Sequence, residues 1–280
     1  MILLPIDRQA FSEDDICEDP GYIASPRVGH RRTADLTMTE EEEVQEGEES
    51  RANILIVEDN DELRSYISME LRDQFHLLEA KDGREGLELA AEHSPDLIIS
   101  DILMPLKSGL ELCRELKSNL HTSHIPIILL TAKATVEDQI RGVQHGADVY
   151  LTKPFSIRVL AAHVNQIIDS RQKLYQRFSQ DVYLLPGRVA KNDIDQAFLQ
   201  KAIDYIVENI LNPQLGVDSI ADLFHLSRMQ VYRKIKALTG KSVVDFIRMV
   251  RLKEALKLMN TRQFTLAEVA YQTGFNSASY

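Results

Sequence analysis

Four short apolar runs in this chain end on polar residues: NILIVED (53–59), DLIISDI (96–102), PIILLTA (126–132) and DVYLTKP (148–154). The polar residues at their ends are an acid pair, a single acid, a hydroxyl and a lysine, namely Glu58 and Asp59, Asp101, Thr131, and Lys153. Runs that are apolar throughout are typical of strands buried on both faces, as in a parallel sheet. They therefore decide the fold class of this part of the chain.

Five strand-like runs alternate with five helical patterns from Ala52 onward. The predicted strands are 53–58, 75–80, 96–101, 126–131 and 148–152, and the predicted helices are 61–72, 84–92, 108–118, 135–144 and 156–177. This alternation predicts an α/β fold of the doubly wound, flavodoxin-like type, with a five-stranded parallel sheet covered by helices on both faces. Ligands of such sheets bind beyond the carboxyl ends of the strands, where the polar residues fall.

The polar residues at the strand ends predict a site that takes a phosphoryl group. Glu58, Asp59 and Asp101 would repel one another unless a cation joined them. Mg²⁺ suits such a place because it prefers carboxylate and water oxygens. Asp101, on the central strand, can attack phosphorus as a nucleophile. Lys153 supplies a positive charge for the incoming oxygens, and Thr131 supplies a hydroxyl.

The motifs VED (to 59), SDILMP (from 100), LLTA (to 132) and YLTKPF (from 150), at these spacings, resemble the receiver domain of two-component response regulators. The resemblance covers about residues 52–175. It implies that Asp101 is the phosphoacceptor, and that Glu58, Asp59, Asp101 and the main-chain carbonyl of Leu103 hold Mg²⁺. It also implies that Thr131 and Tyr150 form a switch pair beside Lys153, and that the peptide bond to Pro154 is cis. The implied partners are a histidine kinase and, through the receiver, a second copy of the chain.

The rest of the chain has the opposite charge. Residues 171–280 contain 16 Lys and Arg against 10 Asp and Glu, a net charge of +6, whereas the first 170 residues contain 16 against 33, a net charge of −17. A Pro-Gly turn at 186–187 marks a linker over 176–192. Beyond it the pattern predicts an all-α domain with helices at 193–210, 217–224, 227–238, 242–259 and 265–273. The basic charge makes this domain a candidate for binding phosphate backbones.

Residues 195–280 resemble an AraC/XylS-type DNA-binding domain, which has two helix-turn-helix units. The motifs are VDSIADLFHLSRMQVYRKIKALTG (217–240), RLKEALKLM (251–259) and the TGF that ends at 275. The resemblance implies that Met229, Tyr232 and Arg233 contact bases, and that Arg228, Lys236 and Lys241 contact phosphates. It breaks off at Tyr280, near the start of the second recognition helix. We therefore expect the domain over 193–280 to be truncated and to bind specific DNA weakly or not at all.

The amino-terminal residues predict no domain of their own. Within residues 1–17, the stretch ILLPI (2–6) and the polar residues after it resemble the last strand of a histidine kinase ATPase domain, which implies a fragment of a Bacteroidetes-type hybrid sensor kinase/response regulator. Residues 18–50 are acidic, lack periodicity and predict a disordered linker. The chain has no membrane span and only two distant cysteines, Cys17 and Cys113, which favours a reducing, cytoplasmic location.

Three functions remain open at this point. The first is a phosphorylation-dependent transcription regulator, which would not itself be an enzyme. The second is a phosphate-sink receiver whose helical domain no longer binds DNA. The third, a phosphatase of the haloacid dehalogenase type, is disfavoured because its general acid would stand two residues after Asp101, where the chain has Leu103. His121 and His124 lack a third metal ligand and are interpreted as loop residues, and Cys113 as a packing residue.

Overall fold

The computed structural model describes residues 51–132, 146–180, 190 and 192–275, with side chains omitted at 177–180. The interpretations of residues 1–17 and 18–50, the predicted helix 135–144 and residues 276–280, where the sequence predicts a truncated domain, lie outside these ranges. Most of the proposed linker 176–192 also lies outside them. Within the described residues, no helix has the length and apolar composition needed to cross a membrane.

The receiver-like half is built on one parallel sheet, as predicted. Its strands are β1 (Asn53–Val57), β2 (His76–Ala80), β3 (Leu97–Asp101), β4 (Ile127–Thr131) and β5 (Val149–Thr152). They lie in the order β2-β1-β3-β4-β5, and every neighbouring pair is parallel. All residues of β3 and β4 are buried, because helices cover both faces of the sheet. The order places β1 and β4 on either side of β3, so the carboxyl ends of these three strands lie side by side.

Four described helices accompany this sheet: α1 (Asp61–Leu71), α2 (Gly83–His93), α3 (Gly109–Ser118) and α4 (Ile157–Gln180). Apolar residues of α1 and α4 form one core with one face of the sheet. Those of α2 and α3 form a second core with the other face, which includes the buried Cys113. The prediction of a doubly wound sheet is therefore confirmed.

The second half is helical, as predicted: α5 (Asp193–Glu208), α6 (Val217–Phe224), α7 (Arg228–Thr239), α8 (Val243–Asn260) and α9 (Leu266–Gln272). Ser227 and Gln230 form a reciprocal capping box at the start of α7, and Thr265 and Glu268 form one at the start of α9. His225 adopts a left-handed conformation (φ 54°), which makes the tight turn between α6 and α7. Helices α5 to α8 share one apolar core, which positions α7 at the surface.

Candidate functional site

The acidic cluster, defined as Glu58, Asp59 and Asp101, lies at the carboxyl end of the sheet. Oxygen atoms of the three carboxylates lie within 4.8 Å of one another. Glu58 is 1% exposed and Asp101 is 7% exposed, whereas Asp59 faces solvent. The strands β1 and β3 are neighbours and end at the same edge of the sheet. Glu58 and Asp101, which are 43 residues apart in sequence, therefore come together. The structure thus brings together the three acids predicted to lie at one edge.

Lys153 lies between two of the acids. Its Nζ is 2.9 Å from Oε2 of Glu58 and 3.1 Å from Oδ2 of Asp101. The other oxygen of Asp101, Oδ1, accepts a hydrogen bond of 2.8 Å from the backbone N–H of Ile102. The lysine follows β5, and its backbone N–H donates to the carbonyl of Thr131 at the end of β4, while the bond to Pro154 is cis.

Burial and neighbouring charges shift the pKa values of Glu58 and Lys153. Burial raises the pKa of Glu58, and the neighbouring charge of Asp101 raises it further, although the hydrogen bond from Lys153 opposes both. Burial alone would lower the pKa of Lys153, but its contacts with Glu58 and Asp101 outweigh burial and raise it. The lysine is therefore held protonated between two carboxylates at neutral pH.

Two residues outside the predicted set shape the cluster. The guanidinium of Arg64 on α1 donates to the main-chain carbonyl of Glu58 at 2.7 Å, and it also contacts Asp61 and Glu79. Gly109, the first residue of α3, packs so closely that a Cβ there would lie 2.0 Å from the carbonyl oxygen of Asp101. Nothing in the sequence pattern alone identifies these roles, because each depends on a contact with a distant strand end.

The remaining predicted site residues belong to β4, β5 and the turn after β3. Thr131 is the last residue of β4, is 5% exposed, and pairs in register with Thr152. Tyr150 is in β5, and its hydroxyl is buried without a hydrogen-bond partner among the described residues. Burial raises the pKa of Tyr150. The side chain of Leu103 is 62% exposed in the turn after β3, and the metal-binding role of its carbonyl stays a prediction.

The chemistry of the cluster fits a hard divalent cation. Three carboxylates converge on one point, and the positive charge that Lys153 supplies is smaller than their combined negative charge. In the described part of the chain, this is the one group of acidic, histidine and cysteine side chains close enough to hold a metal ion. An acidic cluster with an open carboxylate and a fixed lysine can bind a cation and a phosphoryl group together.

The recognition surface, defined as Arg228, Met229, Tyr232, Arg233 and Lys236 of α7, is partly engaged within the protein. Arg228 forms an ion pair with Asp218, and Lys236 lies 5.5 Å from the ring centroid of Tyr232. The guanidinium of Arg233 donates to the backbone carbonyl of Glu92, at the end of α2. Met229 is 54% exposed, and Lys241, just beyond α7, is half-buried. Five of the six predicted DNA contacts therefore lie on α7 and Lys241 lies just beyond it, and the side chains of Arg228 and Arg233 are engaged within the protein.

Lys234, a residue of α7 that was left out of the sequence predictions, is 1% exposed. It forms an ion pair with Asp195 of α5, which is equally buried, and it donates a 3.1 Å hydrogen bond to Oγ of Ser123. Spacing could have indicated this burial, since Lys234 falls three residues after Val231 and four before Leu238 on the inward stripe. The residue type argues against this position being buried, because charged residues are almost never fully buried unless they are paired.

The two histidines noted in the sequence lie in the turn between α3 and β4, and neither joins a metal-binding group among the described residues. Nδ1 of each is buried without a hydrogen-bond partner in that part of the chain. Burial lowers the pKa of His124 well below its usual value, and the positive charges of Lys234, Arg171 and Lys117 lower it further. Cys113 is buried, and burial raises its pKa to about 11.

Two families match the chain in succession. The response regulator receiver domain matches residues 54–165, and the helix-turn-helix domain matches residues 220–280. The chain is 32% identical over its full length to a protein of Formosa agariphila named histidine kinase P4, of which it covers 20%.

Other relatives match mainly at the receiver. The response regulator ArlR of Staphylococcus aureus is 40% identical over 41% of this chain and 52% of its own length. A Vibrio cholerae protein named a probable cyclic di-GMP phosphodiesterase is 31% identical over 67% of this chain and 42% of its own length. The chain therefore spans between a fifth and about half of these relatives.

Proposed function

Because residues 54–165 belong to the response regulator receiver family and residues 220–280 to the AraC-type helix-turn-helix family, we propose that phosphorylation of this chain controls its binding to DNA. A receiver implies a histidine kinase as phosphoryl donor, and a helix-turn-helix implies DNA as partner. The observation that carries the proposal is the acidic cluster with Lys153 at the end of the sheet.

Asp101 is the proposed phosphoacceptor. One of its carboxylate oxygens attacks the phosphorus of the phosphohistidine, the bond from phosphorus to the imidazole nitrogen breaks, and the imidazole leaves with that electron pair. Lys153 keeps its protons on Nζ and compensates charge on the phosphoryl oxygens, since its pKa is raised. The N–H of Ile102 fixes the orientation of the Asp101 carboxylate.

The proposed metal is Mg²⁺, held by Glu58, Asp59, Asp101 and the carbonyl of Leu103. When bound, it neutralises charge on the carboxylates and the phosphoryl oxygens during transfer. Arg64 holds the main chain at Glu58 and thereby positions two of these ligands. Thr131 supplies a hydroxyl to the phosphoryl group, and Tyr150 responds by filling the space that Thr131 leaves.

The recognition surface and Lys241 are the proposed DNA contacts, with Met229, Tyr232 and Arg233 at bases and Arg228, Lys236 and Lys241 at phosphates. Receiver-mediated dimerisation and a cytoplasmic location belong to the same proposal. The full-length alignment with a histidine kinase of greater length supports a parent that joins kinase, receiver and DNA-binding domain in one polypeptide. We propose no enzymatic turnover for this chain, because Leu103 stands where a phosphatase of the haloacid dehalogenase type needs its general acid.

Incubation with acetyl phosphate and Mg²⁺ tests the receiver. We expect the wild-type chain to gain one phosphoryl group by intact mass, and Asp101→Asn to gain none. The matched control is Asp169→Asn, an exposed acid on α4, which should be phosphorylated like the wild type. Equal phosphorylation of Asp101→Asn and wild type would disprove the assignment. Binding of labelled DNA by the phosphorylated and unphosphorylated protein then distinguishes a regulator from a phosphate sink.

A further inference from the structure

In the described part of the chain, a cavity of about 200 Å³ lies between α4, the turn before β4, the start of α5 and the end of α7. None of the three acids of the acidic cluster lines it, so it is separate from the proposed phosphoryl site. An apolar cavity of about 150 Å³ accepts benzene, so at similar filling this one accepts a molecule of about eight non-hydrogen atoms. Much of its wall is apolar and is formed by Pro126, Ile167, Leu174 and Leu238.

His124 contributes to this wall a polar atom that lacks a partner. The side chain is 8% exposed, and its Nδ1 forms no hydrogen bond within the described residues. Burial holds the pKa of His124 well below its usual value, so the ring is neutral at neutral pH and one of its nitrogens carries a proton. Because buried polar atoms nearly always have a partner, an unsatisfied one beside a cavity indicates a place for a ligand atom.

Arg171 of α4 brings a positive charge to the same wall. Its guanidinium donates to the main-chain carbonyl of Asp96 at 3.2 Å and to that of His124. Among the described residues, no carboxylate forms an ion pair with it, whereas Lys117 and Lys234, the other cations around His124, each have one. A guanidinium has five N–H donors, so two carbonyls leave donors available in the fork that matches a carboxylate.

We propose that this cavity binds a short-chain monocarboxylate, with the carboxylate group on Arg171 and His124 and the hydrocarbon chain against the apolar wall. Arg171 donates to both carboxylate oxygens, and Nδ1 of His124 carries the ring proton and donates to one of them. The ligand thereby supplies the negative charge that the guanidinium lacks and the acceptor that the imidazole lacks. This binding site goes beyond the proposed function and depends neither on phosphorylation nor on DNA.

The composition of the wall favours a carboxylate over other small ligands. A neutral apolar molecule would leave the guanidinium of Arg171 without a counter-ion. An inorganic phosphate ion carries more charge than one guanidinium compensates, and Lys117 is already engaged by Asp148 and by the carbonyl of Ile125. Phosphate also has no carbon chain to cover the apolar side chains. A monocarboxylate satisfies both parts of the wall.

Isothermal titration calorimetry of the 280-residue chain with hexanoate tests the proposal, because hexanoate fits the volume of the cavity. We expect one site per chain with a Kd of about 0.1–1 mM, since so few atoms provide limited binding energy. Hexanamide has the same size without the charge, and it should bind at least about tenfold more weakly. Inorganic phosphate should give no binding over the same range of concentration.

Two variants locate the bound ligand. Arg171→Gln removes the charge and keeps N–H donors for the carbonyls, and we expect it to weaken hexanoate binding about tenfold. Its control is Arg158→Gln, an exposed residue of the same helix, which should bind like the wild type. Ser170→Trp places a large ring at the exposed part of the lining and should block binding without changing a buried group. Its control is Gln166→Trp, which is exposed on α4 outside the cavity.

Three results would overturn the proposal. They are the absence of hexanoate binding at about 10 mM, equal affinity for hexanoate and hexanamide, and a Ser170→Trp protein that binds hexanoate as tightly as Gln166→Trp. Circular dichroism checks folding, and if Arg171→Gln does not fold, Ser170→Trp decides the location. All measurements use unphosphorylated protein without DNA, so a failure here is distinguishable from a failure of the proposed function.

Discussion

The acidic cluster and α7 both place a lysine between acidic and polar groups, yet they differ in what surrounds the lysine. Lys153 contacts two carboxylates at the open end of the sheet, with its side chain 23% exposed. Lys234 contacts Asp195 and Ser123 with its side chain 1% exposed, inside the contact between two domains. The first lysine is available to an incoming ligand, and the second is not.

This difference is consistent with the role proposed for Lys153 at an incoming phosphoryl group, whereas Lys234 holds two packed elements together. A partly exposed lysine beside an acidic cluster can exchange its contacts for a phosphoryl oxygen at little cost. A buried lysine has no such exchange available, because desolvation leaves its single acidic partner as the main compensation. The expected effects of mutation therefore differ in size and in their response to Mg²⁺.

The largest effect is expected for Lys234→Ala. It leaves the carboxylate of Asp195 buried without its counter-ion, which costs about 3–5 kcal/mol of the free energy of unfolding. Urea denaturation followed by circular dichroism measures the loss. Lys236→Ala, two residues along α7 and exposed, is the control and should change stability by less than about 0.5 kcal/mol. If both variants lost a similar free energy of unfolding, the buried ion pair of Lys234 would contribute nothing to stability beyond an exposed lysine.

A loss of about 3 kcal/mol is expected for Gly109→Ala, because the new Cβ would overlap the carbonyl oxygen of Asp101 and the backbone must move. The same movement should slow phosphorylation of Asp101. Gly216→Ala is the matched control, since its nearest neighbour would lie 3.9 Å away, and it should cost less than about 1 kcal/mol. A Gly109→Ala protein with unchanged stability would contradict the close packing of α3 on β3.

Lys153→Ala is expected to cost about 1–2 kcal/mol in the absence of metal, less than Lys234→Ala, because solvent and protonation of Glu58 relieve part of the charge. Added Mg²⁺ should stabilise this variant more than the wild type, since the cation no longer competes with an ammonium group. Thermal unfolding with and without Mg²⁺ measures both. An Mg²⁺ effect smaller than that on the wild type would argue against a shared position for cation and lysine.

The smallest effect concerns pH at the domain contact. The pKa of His124 is well below its unfolded value of about 6.5. At low pH the histidine is therefore protonated in the unfolded chain but stays neutral in the folded chain. The free energy of unfolding then falls as pH drops below about 6.5, by at most about 1.4 kcal/mol per pH unit. His124→Gln removes this term, so the stability difference between variant and wild type should change between pH 8 and pH 5.5. A constant difference over that range would exclude burial of a neutral His124.

Much of the acidic cluster could be predicted from sequence because the carboxyl ends of parallel strands meet at one edge. The strand boundaries and the sheet order are sufficient to predict that four side chains lie at this edge, namely Glu58, Asp59, Asp101 and Lys153. Arg64 and Gly109 escaped prediction because their partners are a main-chain carbonyl of β1 and one of β3. Every residue has a main-chain carbonyl, so the residue types in the sequence do not show which carbonyl takes part in such a contact.

The surroundings of α7 could be predicted only in part. The helix, its capping box and its apolar stripe follow from local pattern, which needs no knowledge of the other domain. The contact of Lys234 with Ser123 and that of Arg233 with Glu92 depend on where the receiver lies, and no spacing within residues 193–275 encodes that position. Ser123 has no feature in its own sequence neighbourhood that points to a partner 72 residues away.

The acidic cluster and the contact with α7 lie at opposite ends of the sheet. The acidic cluster follows the carboxyl ends of β1 and β3, whereas Ser123 precedes β4, so the length of a five-residue strand, about 17 Å, lies between them. A phosphoryl donor that approaches the proposed phosphoacceptor Asp101 would therefore meet none of the residues that contact α7.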